Sequence, residues 1–223
     1  MKYLLLFFTG TLMMSFYSDN NYSTYDFIPL EYLYPEDSLK NGKTFVVKSE
    51  ETGNLNLSDI TLAQKSTNRQ IIVRRYSNNS SGYDSTIFFN HKMTEIYSNM
   101  YSGNILVKAK IISDMILNDG SKLGTQRQVI TYTYSEGQVT TDSKSTYLKD
   151  TILNWNSVQV ACLVVASHIK ISFQKPSDPE DKKDTFSYSV KTYYGKNLGT
   201  MRFTVIEPKG VHTFNLVKIV NKK

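Results

Sequence analysis

Thr192 to Ile206 reads Thr-Tyr-Tyr-Gly-Lys-Asn-Leu-Gly-Thr-Met-Arg-Phe-Thr-Val-Ile, and it constrains the fold more than any other stretch. A strand ends on two tyrosines, a turn lies between Gly195 and Gly199, and a second strand leaves with Met201, Phe203 and Val205 on one face. Glycine at both ends of the turn is expected to supply positive φ angles that other residues reach only at a cost. So tight a reversal between two alternating runs predicts antiparallel sheet.

The rest of the chain keeps the same rhythm. Runs at Thr44–Lys48, Asn54–Ala63, Arg69–Tyr76, Thr86–Phe89, Met93–Tyr97 and Ile105–Ile112 are separated by polar or glycine-containing turns. Gln128 to Tyr134 puts Ile130, Tyr132 and Tyr134 on one face, and Ser135-Glu136-Gly137 turns it back. Val158 to Val165 is the most apolar stretch after the N-terminus, and its valines predict a strand buried on both faces. A short helix around Ala161 and Ala166 is the alternative. Ile169, Ile171 and Phe173 continue the alternation, Lys175 to Asp184 reads as a loop, and Thr213 to Val220 is the last strand. The spacing predicts about eleven strands, little helix and an all-β sandwich or barrel of one domain, which 223 residues suffice to build.

Residues 1–18 read as a secretory signal. Lys2 is the positive flank, and Tyr3 to Phe8 with Leu12, Met13 and Met14 form an apolar run interrupted by Thr9, Gly10 and Thr11. That run is shorter than the about 20 apolar residues of a membrane span. Cleavage is expected near residues 15–18, with residues 19–33 as an N-terminal arm and the domain over 34–223. Phe27 to Tyr34 is apolar enough to pack on the body.

The net charge of +6 is uneven: residues 1–168 hold equal numbers of basic and acidic side chains, so the whole excess lies in 169–223. Lysines there alternate with apolar residues or sit in turns, which predicts a solvated face and lysine-protected edges, with no nucleic-acid partner. Cys162, the only cysteine, has apolar flanks and predicts a buried, inert thiol.

No motif points to catalysis. The sequence has no Gly-x-Ser-x-Gly elbow, no His-Glu-x-x-His, no phosphate-cradling glycine loop and no Cys-x-x-Cys. His91, His168 and His212 are isolated, and the acidic loop Asp178, Glu180, Asp181, Asp184 lacks the spacing of a calcium loop and carries Lys182 and Lys183. No catalytic residue, metal site or cofactor is therefore expected. Aromatics are the remaining signal: Tyr132, Tyr134, Tyr188, Tyr193, Tyr194 and Phe203 could line a concave face and accept an acyl chain, or form the core beneath it.

Two motifs carry a family resemblance. Tyr34-Pro35 with Leu39, Asn41, Gly42, Lys43 and Phe45 resembles the Tyr-Pro-Leu-x-x-Gly-Asn-x-Trp opening of exported, mostly uncharacterised Bacteroidota proteins. Tyr193-Tyr194-Gly195-Lys196-Asn197-Leu198-Gly199-Thr200-Met201-Arg202 resembles their Tyr-Tyr-Ala-x-Gly-Val-Gly-x-Val-Lys hallmark. This chain has Phe45 for the tryptophan and Asn197 for the first turn glycine, a position where asparagine tolerates the left-handed conformation. No lipobox cysteine follows the signal, so no stable membrane anchor is carried over. The resemblance implies a curved antiparallel sheet, a half-barrel or open barrel like the outer-membrane lipoprotein carrier and receptor proteins. It also implies a periplasmic or secreted, non-enzymatic protein of a Gram-negative bacterium, with a lipid or other hydrophobic small molecule as the expected partner. The alternative is a structural or adhesive β module that recognises protein or glycan through its loops.

Overall fold

The computed structural model describes residues 27–29, 32, 42–65, 68–77, 80–89, 92–99, 106–117, 119–134, 137–175 and 184–221; for most of 56–115 it describes the backbone alone. Strands follow one another as β1 (Lys43–Ser49), β2 (Leu55–Lys65), β3 (Asn68–Ser77), β4 (Ser80–Phe89), β5 (Lys92–Asn99) and β6 (Leu106–Leu117). They continue as β7 (Thr125–Tyr134), β8 (Gly137–Trp155), β9 (Val158–Gln174), β10 (Asp184–Gly195), β11 (Gly199–Glu207) and β12 (Gly210–Asn221).

Among the described residues the chain forms the expected all-β, curved antiparallel sheet with little helix, with twelve strands in place of about eleven. Strands β6 through β12 and β1 form a curved antiparallel arc of eight, with side chains described at only four positions of β6 and for nearly all of the other seven strands. The backbone pairing of β2 to β5 continues that arc, and β1 pairs with both β2 and β12, so the strand order returns on itself as a closed barrel. The ladder from Lys43↔Asn221 to Ser49↔Phe214 joins the first described strand to the last.

Alternation decides which side chains fill the barrel. Cross-strand rows such as Ile130↔Thr141↔Ile171↔Phe186 and Tyr147↔Val165↔Thr192↔Phe203↔Phe214 run around the inner face. Ile169, Ile171, Tyr188, Val190 and Val205 form a buried cluster there, with Val139, Phe186, Phe203 and Phe214 packed against it. His168 and Lys170, the alternate residues of β9, are exposed.

Val158–Val165 is a strand as expected, but only its second half is covered on both faces: Cys162, Leu163, Val164 and Val165 are buried, whereas Val158, Gln159 and Ala161 are exposed. The Cys162 thiol is pushed up from its ordinary value by burial, which fits an inert core residue. β8 and β9 join through Asn156 (φ 49°) and Ser157 (φ 65°), a two-residue turn with both angles positive. β7 reaches only Thr125↔Thr146 and β10 only Gly195↔Cys162, so the tip of the β8–β9 hairpin overhangs the barrel.

The Gly195–Gly199 turn is built differently from expectation at one end. Gly199 (φ 73°) and Asn197 (φ 61°) take the left-handed conformation, whereas Gly195 has no positive φ. Gly195 is needed for space: a Cβ there would collide with the Met201 thioether and stand 3.2 Å from Val160 Cγ1. A bulge between Tyr193 and Tyr194 brings Met201 into that position, where Cys162 Sγ lies 3.6 Å from Met201 Sδ.

Candidate functional site

Four of the six aromatic candidates meet on the inner face. Tyr188 and Tyr194 are buried there, and Tyr132 pairs with Val139, which packs in the same cluster. Phe203 stacks on Phe214 with ring centroids 4.7 Å apart and planes 13° from parallel. Tyr193 follows the strand period instead and faces outward, between Lys191 Nζ at 5.4 Å and Arg202 Cζ at 5.8 Å from its ring centroid. The side chain of Tyr134 lies outside the described residues.

One end of this inner wall is filled by the chain itself. Phe27 is 2% and Ile28 is 1% exposed, and both pack against Val165 and Tyr194, with Tyr32, Ile116 and Leu123 alongside. The chain bends at both positions, so two consecutive side chains enter one cluster. Burying a side chain of this size contributes about 1.5–3 kcal/mol. Around this mouth Lys122 Nζ lies 2.7 Å from Asp150 Oδ2 and 5.7 Å from the Tyr147 ring centroid.

The opposite mouth is polar. Glu207, on the same face as Phe203 and Val205, keeps only 8% of its side chain exposed and lies 3.4 Å from His212 Nε2. Burial first, and the negative Glu207 second, push the Tyr188 phenol well above its ordinary value. Glu51 closes the group: its carboxylate accepts the Thr213 N–H at 2.6 Å and lies near enough to His212 to feel its charge. That backbone hydrogen bond is the first cause of a lowered Glu51 carboxyl. Period-2 reading places Glu207 two residues beyond Val205 and His212 two residues before Phe214, so both were legible as inward-facing; only their juxtaposition across the β11–β12 turn was not.

Among the described residues no group of three histidine, cysteine or acidic side chains gathers as for a metal ion. His168 is exposed, with Nδ1 3.3 Å from Ser189 Oγ on the outer face. His91, Asp178, Glu180, Asp181 and the side chain of Asp184 lie outside the described residues.

No family model and no curated protein matches the chain. Two solved structures resemble it. One is a Bacteroides fragilis protein described as exported and as having a YmcC-like fold, 11% identical, covering 86% of this chain and 99% of its own, with a TM-score of 0.48. The other is a Parabacteroides distasonis protein described as a lipoprotein, also 11% identical, covering 85% and 98%, with a TM-score of 0.48. Both descriptions are extracytoplasmic, and neither mentions a carrier, a receptor or a ligand. A TM-score of 0.48 does not establish a common fold.

Proposed function

We propose that this chain is an exported, non-enzymatic protein whose barrel interior binds a lipid-like or other hydrophobic molecule outside the cytoplasm. The observation that carries the reading is the inner wall, where Tyr132, Tyr188, Tyr194 and Phe203 share a face with Ile169, Ile171, Val190 and Val205, interrupted by Thr141, Ser167 and Thr192. A curved wall of this kind suits an acyl chain, because its aromatic and aliphatic side chains offer dispersion contacts. Export is supported by the charged-then-apolar pattern of residues 1–18. Lipid extraction and mass spectrometry of the protein purified from an exporting Gram-negative host tests the reading. A stoichiometric lipid is the expected result, and a lipid-free protein that takes up no added fatty acid sinks it.

A second reading rests on the overhanging β8–β9 tip, where Ile152 is 61% and Val158 is 59% exposed. Apolar side chains held out on a projecting hairpin suit an adhesive contact with protein or glycan. Ile152→Ser with Val158→Ser would then abolish surface adhesion while leaving lipid content unchanged.

A further inference from the structure

The segment that carries Phe27 and Ile28 is held in an unusual way for something so deeply buried. Among the described residues its one backbone–backbone hydrogen bond is internal, Tyr32 N–H to the Pro29 carbonyl at 2.8 Å. Strands β7 to β12 are fixed by continuous ladders, whereas Phe27 and Ile28 are held by apolar side-chain contact with Val165, Tyr194, Ile116 and Leu123. Apolar contact is non-directional, so another apolar chain of similar width can replace it without leaving a sheet hydrogen bond unmade.

We infer that the pocket occupied by Phe27 and Ile28 is a subsite for a long-chain acyl group, and that these two side chains stand in for it until a ligand displaces them. The inference rests on the interior-binding reading above and adds the place, the ligand class and the competitor. A site filled by its own chain binds with an affinity reduced by the fraction of molecules in which it is vacant. Emptying it by mutation therefore tightens binding, where loss of an ordinary core residue would weaken it.

The test uses the purified chain and the fluorescent fatty acid cis-parinaric acid. Phe27→Ser with Ile28→Ser is expected to bind the probe about tenfold more tightly than the unmodified chain. Saturating probe is expected to speed chymotryptic cleavage after Phe27 in the unmodified chain about fivefold, because the displaced segment becomes accessible. That second measurement needs no variant and decides alone if the double substitution does not fold. Equal affinities, or cleavage that the probe leaves unchanged, overturn the subsite while leaving interior binding intact. Uptake by neither form overturns interior binding and the subsite with it. A competing phosphatidylglycerol dispersion or a diacylated lipopeptide then tells whether a membrane lipid or a lipoprotein carries the acyl chain: whichever removes the probe is the source, and removal by neither overturns the acyl assignment.

Discussion

The Met201 thioether occupies the space in which a side chain on Gly195 would stand. Gly195 is thus fixed by its neighbour and not by its own backbone angles, and Met201 in turn covers Cys162. Gly195→Ala should destabilise the fold by about 1–3 kcal/mol through overpacking. Urea unfolding measures it, and Gly195→Ala combined with Met201→Ala should cost less than the sum of the two single changes. Strict additivity would mean that the two sites do not meet.

Gly199 has the opposite reason for being glycine. At φ 73° a β-branched residue is strained, so Gly199→Val should lower stability by about 1–3 kcal/mol. Asn197 at φ 61° should accept glycine without loss. An unchanged melting temperature for Gly199→Val would remove the turn as drawn.

These two glycines show what could be read in advance and what could not. Gly199, Asn197 and the flanking alternation are local chemistry, and local chemistry is legible in a sequence. The collision at Gly195 depends on a bulge that shifts the register between Tyr193 and Tyr194, and no residue pattern announces it. Tyr193 and Tyr194 lie side by side in the chain, and the strand period sends them to opposite faces, with cations around the outer ring. The burial of Phe27 and Ile28 was half legible: their apolarity predicted packing on the body, but not that the packing lies against the inner-face residues Val165 and Tyr194. Return of the strand order to β1 was hidden too, because pairing between the chain's two ends leaves no local trace.

Tyr188 predicts behaviour at high pH. Its phenol is held above the ordinary value of 10.0 in the folded protein, so unfolding releases a group that ionises more readily. Its contribution to stability is complete below pH 10 and is lost as pH rises from there toward the higher folded value. Tyr188→Phe should flatten the alkaline fall in stability, measured as denaturation midpoints from pH 8 upward. An identical slope in both proteins would show that Tyr188 titrates normally.

Asp119 predicts the acid limb at the other mouth. Hydrogen bonds from the Thr125 hydroxyl first, then from Ser121, lower its carboxyl from 3.8 to about 2. A depressed folded value means a contribution present above pH 3.8 that disappears as pH falls through about 2. Thr125→Val should move the Asp119 titration, followed by NMR, back toward 3.8. A midpoint that stays near 2 would place the cause elsewhere.

Eleven of the twelve ladders join strands that are neighbours in sequence, and only β1 with β12 links segments at opposite ends of the described chain. Folding by short-range hairpins is fast, whereas a contact of this span must wait for the intervening chain to be ordered. During synthesis β1 is the first of the described strands to be made and the last to receive its second partner. Until Gly210–Asn221 arrives, the order has two unpaired edges, one on β1 and one on β11, each a template for pairing with another chain. The hazard this architecture must manage is therefore one of timing, and it ends only when the C-terminal strand docks.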